Sequence, residues 1–514
     1  MAEKKQYVTL SLGSFASHVT SHLLNLHDEA SELDCIAQDS LHHELSSGRV
    51  VPRLVLCDSS GSAGSASFTP ISPSNSNAST SDHLSPENES NAAHTDSASS
   101  TDALWSGGVE VHSAEKAFTS AFRRAVERGD SKLPDATDTL ESEINSWADF
   151  LQADISSENV CFPSGVWHSA SPVASYGDSA DMLCASKLES VIDGVRRQTE
   201  RCDRLAGIHL ITDAGTAFGR AANECLQELE DDLGNDVPVA SFGCSPTAGY
   251  PGPQPTSEVA HSLSHALFNA GIGEHATLHC YMQCPTAKAA QSLQFQRGSF
   301  FHESAVLASA IDSCTLPWRL HERCEANNAV GMLDLRAAGD LISRSTNLSP
   351  FCSTSVASPA IGLNKSQISV HDCITLCPWV RRAAHWSPPP SEWTVVRGLR
   401  SVSQDDVAQT LLEHDGLARR SISWARSGLF LPHAWPQLPS LDTITEHEAP
   451  AVTRVGNSSH IGNALQAMSS HLKANARLVA SWGWVEQSEA LDASETLQSF
   501  AQCFEDNDDE GLTR

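Results

Sequence analysis

Basic side chains are scarce in this sequence: 33 lysines and arginines stand against 63 aspartates and glutamates, a formal net charge of -30. A nucleic-acid partner needs a basic face to neutralise phosphates, so the balance excludes nucleic acid as a main partner. It equally disfavours adhesion to an anionic leaflet through a polybasic patch. No apolar run approaches the roughly 20 residues that span a bilayer, so no transmembrane segment is expected. The opening Met-Ala-Glu-Lys-Lys-Gln lacks both an apolar signal core and a basic presequence, and it leads straight into a strand. The 15 cysteines show no paired framework in a chain of 514 residues, which fits a reducing compartment. A soluble, cytoplasmic protein of roughly two or three domains is expected, with any membrane location made through partners.

What is present is organised around Asp203–Pro246. Ile208–Thr212 has the length and β-branching of a buried strand. A Gly-containing turn follows over Asp213–Gly219. Phe218, Ala221, Ala222, Cys225, Leu226, Leu229 and Leu233 then recur as one face of a helix. Gly234-Asn235 closes that helix, and Val237–Phe242 reads as the next strand. Strand, Gly turn, helix and parallel strand make a βαβ unit, whose first turn is where phosphates sit on backbone amides. A second such unit opens the chain, with strand Tyr7–Leu12, Gly13, and a helix marked by Phe15, Val19, His22, Leu23 and Leu26.

Val50–Cys57 reads as one buried strand ending in Asp58. From Ser59 to about Ser106 the composition turns to Ser, Asn, Ala, Thr, Asp and Pro, which predicts a disordered insertion. Helices are expected around Ala114–Arg128, then as an acidic helix ending in Ser146–Leu151, and over Lys187–Cys202 and Glu258–Asn269, with a strand at Ala276–Met282. Phe301–Cys314 is a long helix that Pro317 should stop. Beyond it come a helix at Leu335–Ser345, β-like runs at Ile368–Val370 and Val395–Val396, and a surface loop at Pro388-Pro389-Pro390. Two closing helices carry Ile461, Leu465, Met468 and Leu472, then Leu497, Phe500, Ala501 and Phe504, before the acidic tail.

Other motifs reduce to bland readings. Cys280, Cys284, His371, Cys373 and Cys377 have spacings that zinc sites use, but they lie on strand-like segments where cysteine acts as a small apolar residue. Gly243-Cys244-Ser245-Pro246-Thr247 lacks the second glycine of a nucleophile elbow. His42-His43-Glu44 and His302-Glu303 lack the second histidine of a metalloprotease helix. Asn88-Glu-Ser is an accident of Ser-rich composition.

The order of several segments resembles the tubulins: Tyr7–Gly13, Val51–Asp58, Thr199–Gly207, the Gly turn, Phe301–His321, Asp334-Leu335-Arg336 and the C-terminal helices from Asn457. Val8-Thr-Leu-Ser-Leu-Gly-Ser-Phe-Ala16, Leu24-Asn-Leu-His-Asp-Glu29, Trp147-Ala-Asp-Phe-Leu151 and a Gly turn starting with Asp213 most resemble the Misato family of tubulin-like proteins. No single motif is specific; their shared order is. The resemblance implies an α/β fold: a Rossmann-like N-terminal domain (1–58 and 107–300), a core helix (301–317), a smaller α/β domain (318–450), C-terminal helices (451–504) and an acidic tail (505–514).

Taken residue by residue, the resemblance implies a degenerate nucleotide site. The tubulin turn Gly-Gly-Gly-Thr-Gly-Ser-Gly appears as Asp213-Ala214-Gly215-Thr216-Ala217-Phe218-Gly219. Gly215, Thr216 and Gly219 keep the turn, while Asp213 brings a carboxylate where phosphate oxygens would sit and Phe218 a bulky ring. The first turn, Gly13-Ser14-Phe15, runs into Ala16 where glycine is expected, with His18 beside it. Asp58 remains, but the metal-ordering acid appears as Ser60. Phe301 keeps an aromatic suited to a base, and Ala305 replaces the amide that reads guanine. Asp334 is kept, while the hydrolytic acid one turn later appears as Ala337. The expectation is a pseudo-GTPase pattern without enzymatic turnover and with no cofactor or metal, residual GTP binding being the open alternative. The family implies roles in mitochondrial distribution, morphology and inheritance at the outer mitochondrial surface. Suspected partners are tubulin, cytosolic chaperonin, spindle microtubules and mitochondrial surface proteins. The competing expectation is a polymerising, GTP-binding cytoskeletal GTPase.

Overall fold

The structure, a computed structural model, describes residues 5–30, 36–59, 62–63, 120–127, 141–162, 175–178, 185–234, 236–249, 258–285, 293–320, 329–343, 349–365, 368–380, 391–399, 419–444 and 448–505. Most of the Ser-rich insertion, Ser60, Asn88, the Pro388-Pro389-Pro390 run and the tail from 506 lie outside the described residues.

The strands are β1 Gln6–Leu12, β2 His42–Glu44, β3 Val50–Pro52, β4 Leu54–Cys57, β5 Val160–Cys161, β6 Leu205–Asp213, β7 Val239–Ser245, β8 Leu278–Gln283, β9 Ala329–Val330, β10 Phe351–Ala357, β11 Ile374–Thr375, β12 Ser391–Arg397, β13 Arg419–Ala425, β14 Leu429–Phe430, β15 Glu448–Ala449 and β16 Ala451–Gly456. The helices are α1 Ser14–Glu29, α2 Ala121–Glu127, α3 Ala185–Glu200, α4 Ala217–Leu233, α5 Glu258–His275, α6 Phe300–Arg319, α7 Leu335–Ser343, α8 Ser459–Ser481 and α9 Gln487–Glu505.

Twelve strands form one sheet in the order β5-β4-β1-β6-β7-β8-β10-β16-β12-β13-β9, with β11 on the side of β10. From β5 to β10 neighbouring strands run parallel. β16 then runs antiparallel between β10 and β12. A mostly parallel sheet needs both faces covered, and its strands accordingly read as near-continuous apolar runs. β1 shows why: all seven residues are buried. Tyr7 faces the core that holds α1 and α6, while Val8, Leu10 and Leu12 face the core that holds α3, α4, α5, α8 and α9. The architecture is mixed α/β, as the tubulin-like expectation requires.

α6 is the spine. Every residue from Phe301 to Arg319 is buried, as befits a helix that is packed on all sides. Pro317 does not stop it. The proline lies in the last turn, where little helix remains to be disrupted, and Arg319 Nη2 reaches back to the Asp312 carbonyl and to Asp312 Oδ1, both at 2.6 Å.

Four other expectations are corrected. Val50–Cys57 is two strands. Val50–Pro52 pairs antiparallel with β2, and Leu54–Cys57 pairs parallel with β1; the chain changes partner at Arg53, whose amide donates to the Leu41 carbonyl at 2.8 Å while its carbonyl accepts from Thr9 N at 2.8 Å. The run at 368–370 gives no strand. Ser369 and Asp372 form a reciprocal cap on a short 3-10 turn, and the strand comes later, at Ile374–Thr375. Trp147–Asp149 is likewise a 3-10 turn, closed by a capping box between Ser146 and Asp149. β16, grouped by sequence with the C-terminal helices, lies inside the sheet.

Candidate functional site

Among the first six strands of the sheet, β5, β4 and β1 lie to one side and β6, β7 and β8 to the other. The chain order therefore reverses between β1 and β6. In open α/β sheets ligands bind in the crevice beyond the carboxyl ends of the strands at such a switch point. Leu12 and Thr212 are register partners there, so the residues that follow them, Gly13 and Asp213, stand side by side.

Gly13 turns the chain into α1 at φ 114°, and no side chain of its own caps the helix. The free amides of that first turn need acceptors. Asp213 supplies them from 197 residues away: its Oδ1 accepts from Ala16 N at 2.6 Å and its Oδ2 from Phe15 N at 3.1 Å. The approach requires glycine at 13, since a Cβ there would fall 2.4 Å from Asp213 Cγ. The sequence placed a phosphate-repelling carboxylate at 213. The structure seats that carboxyl on the amides themselves, with 2% of the residue exposed.

Asp58 is the second carboxyl at the switch point and is fully buried. It accepts from Ser14 Oγ at 2.9 Å, from Ser59 N at 2.6 Å and from Trp147 Nε1 at 3.0 Å. Burial pushes its pKa up to about 6 against the pull of the surrounding hydroxyls and the Ser59 amide. Burial also pushes Asp213 well above the usual carboxylate range; the Ala16 amide opposes this and the neighbouring Asp58 charge adds to it. The amides, the Ser14 hydroxyl and the Trp147 indole that donate to these two carboxyls are neutral.

The surviving turn residues serve packing. Thr216 caps α4, its Oγ1 accepting from Phe218 N at 3.2 Å and donating to the Asp213 carbonyl at 2.9 Å. Gly215 takes φ 71°, and a Cβ there would lie 2.8 Å from the ring of His265. A Cβ on Gly219 would lie 3.0 Å from Phe268. Phe218 does not project into the turn as the sequence suggested; it is the second residue of α4 and joins the core with Leu12, Val191 and Leu210.

On the base side, Phe301 is 3% exposed. Its ring meets Phe150 at 5.0 Å, His22 at 5.1 Å and Phe122 at 5.5 Å between centroids, so the aromatic expected to meet a base packs against protein. Phe15 is buried edge-on to Phe300 at 5.0 Å. His18 packs between Phe150 and Phe300, and burial lowers its pKa to about 4 although its Nδ1 pairs with the Ser14 carbonyl at 2.8 Å. Ala305 is buried on α6.

Asp334 is not part of this cluster. It sits by Lys5, which precedes β1 at the end of that strand opposite Gly13, 3.3 Å from its Nζ, and caps α7 by accepting from Ala337 N at 2.8 Å. The structure thus unites Gly13, Ser14, Phe15, Asp58 and Asp213, sets Gly215, Thr216 and Gly219 beside them, and leaves Asp334 apart. Sequence reasoning missed the Trp147–Asp58 bond and His265 over Gly215. The only available signal was that Asp213 and Gly13 each directly follow a buried strand.

Among the described residues, no group of three or more His, Cys, Asp or Glu side chains is placed to hold a metal ion. Cys280 and Cys284 are buried on and just after β8 and His371 is exposed, so those candidates are not gathered. Among the described residues, no helix is long and apolar enough to cross a membrane.

No protein-family model matches the chain. Curated relatives do. Protein misato of Drosophila melanogaster is 26% identical over 235 residues, covering 42% of this chain and 40% of the fly protein. Protein misato homolog 1 of Homo sapiens is 24% identical over 372 residues, 62% of this chain and 60% of the human protein. Protein DML1 of Gibberella zeae is 23% identical over 353 residues, 65% of this chain and 64% of the fungal protein.

The chain is thus similar to Misato proteins of animals and to a fungal DML1 protein. It spans 40% and 60% of the length of the fly and human relatives it matches. In this Misato-like chain the switch-point crevice is lined by its own carboxyls, amides and aromatic rings.

Proposed function

We propose that this Misato-like chain is a non-enzymatic, tubulin-like protein whose nucleotide crevice serves as architecture, a pseudo-GTPase. The observation that carries the reading is the Asp213 carboxyl on the Phe15 and Ala16 amides. Those amides are the donors that a phosphate at a helix N-terminus uses, and here they have a partner. The second carboxyl, Asp58, adds negative potential on the adjacent side, and Ala337 offers no hydrolytic acid one turn after Asp334. Likeness to the Misato family supports a role in mitochondrial distribution, morphology and inheritance, exerted from the cytoplasm at the mitochondrial surface. It also supports contacts with tubulin, spindle microtubules or cytosolic chaperonin as the working partners.

The competing reading is a GTP-binding, polymerising GTPase. Denaturing the purified full chain and quantifying released guanine nucleotide, together with phosphate release from added GTP, separates the two. The pseudo-GTPase reading expects far less than one nucleotide per chain and no turnover. Stoichiometric GTP with turnover would sink it. The cellular reading is tested by depletion, which should alter mitochondrial distribution and be rescued by the Asp334→Ala variant as fully as by the wild type.

A further inference from the structure

We infer that the Asp213 carboxyl is a tethered substitute for a phosphate group, holding the β1–α1 turn in its anion-binding form with no ligand, so that cutting the side chain back opens a phosphate cradle.

This rests on the pseudo-GTPase reading and extends it. In a nucleotide-binding βα turn the phosphate does two things: it satisfies the first helical amides and it fixes the turn against the strand. Asp213 does both from inside the chain. Its two oxygens divide between the Phe15 and Ala16 amides at 3.1 and 2.6 Å, as two oxygens of one phosphate would. Its backbone is immobilised on three sides. It pairs with Cys244 on β7, the following amide, Ala214 N, donates to the Cys244 carbonyl at 2.9 Å, and Thr216 Oγ1 donates to the Asp213 carbonyl at 2.9 Å. A tether this short loses little entropy when the carboxyl docks, whereas a free ligand loses its translational freedom.

Gly13 supplies the matching half. Its missing side chain leaves the space that the Asp213 carboxyl fills, and any Cβ there would overlap Cγ, Oδ2 and Cβ of Asp213 within 2.4 to 2.7 Å. The turn is also closed from behind. Gly13 N donates to the Cys57 carbonyl at 2.9 Å, and Ser17 Oγ donates to the Gly13 carbonyl at 2.7 Å. The cradle is therefore built by groups that stay in place when the Asp213 side chain is removed.

Thermal melts of the full chain as wild type, Asp213→Gly and Asp213→Asn, with and without about 10 mM inorganic phosphate, test this. The wild-type melting temperature should not respond to phosphate. Asp213→Gly should melt about 5 °C lower and recover at least half of that loss in phosphate. Asp213→Asn, which keeps an acceptor and blocks the space, should show no phosphate response. A phosphate-stabilised wild type, or a folded Asp213→Gly that phosphate leaves unmoved, overturns the inference. If Asp213→Gly does not fold, amide hydrogen exchange decides. Phe15 and Ala16 should exchange at least about tenfold faster in Asp213→Asn than in wild type, and equal protection overturns it. Stoichiometric GTP with turnover in the wild type instead removes the pseudo-GTPase reading, whereas an empty wild type with an unresponsive Asp213→Gly removes only the tether.

Discussion

Two sets of buried carboxyls in this chain meet opposite surroundings. At the middle of α6, Asp312 faces two guanidiniums: Arg319 at 2.6 Å through Oδ1 and Arg397 through Oδ2, with His27 Nε2 at 3.1 Å. Burial works to raise its pKa, but Arg319 and Arg397 hold it well below the usual carboxylate range. At the switch point, Asp58 and Asp213 are equally buried but face amides, hydroxyls and an indole, and both are raised. Burial alone therefore does not set the state of a carboxyl; the charge of its donors does. The first centre ties α1, α6 and β12 together with ion pairs. The second closes a crevice with groups that bring no countercharge.

The largest expected effect breaks the first centre. Asp312→Asn leaves Arg319 and Arg397 buried without their anion, and a loss of roughly 3 to 5 kcal/mol is expected in urea unfolding. A loss below about 1 kcal/mol would erase the contrast between the two centres.

The next effects separate the two signs of pH dependence. His18 has a folded pKa of about 4, well below the ordinary imidazole value of 6.5. A group depressed in this way binds more protons when unfolded, so its contribution is present above pH 6.5 and is lost as pH falls towards 4. His18→Phe should flatten that acid limb by about 3 kcal/mol. Asp58 has the opposite sign, because its folded pKa of about 6 lies above the ordinary aspartate value of 3.8. Its contribution is full below pH 3.8 and is lost as pH rises through about 6. Asp58→Asn should therefore gain on wild type by about 2 kcal/mol between pH 4 and pH 7, read from paired denaturation curves. An Asp58→Asn curve that stays parallel to wild type across that range would mean the carboxyl is compensated as Asp312 is.

The smallest effect sharpens the reading of the turn. Gly215→Ala should cost about 1 to 2 kcal/mol, from its φ of 71° and from the His265 ring. Adding His265→Ala should return part of that loss, a non-additivity expected only of groups in contact. Strict additivity would show that backbone strain alone keeps glycine there.

The elements around the switch point were legible because their signals are local. β1 and β6 are apolar runs that end at Gly13 and Asp213, β7 is a buried run that continues through Gly243 to Ser245, and α1 and α4 carry apolar residues at helical spacing. The degenerate turn could be listed residue by residue. Where its side chains went could not be listed, because Phe218 turned to the core, Phe301 met Phe122 and Phe150, and Trp147 reached Asp58 across 89 positions.

By itself the sequence determined the βαβ units and their order, which follow from residue type and spacing within a few turns of chain; the loss of glycines from the turn and of the guanine reader at Ala305 is what the resemblance to tubulins implied. Only the tertiary structure decided that Asp213 would lie on the first amides of α1 and that Asp312 would meet Arg397 from β12. Those contacts join residues 198 and 85 positions apart, and the strand register that brings them together is set by which apolar faces the sheet must bury.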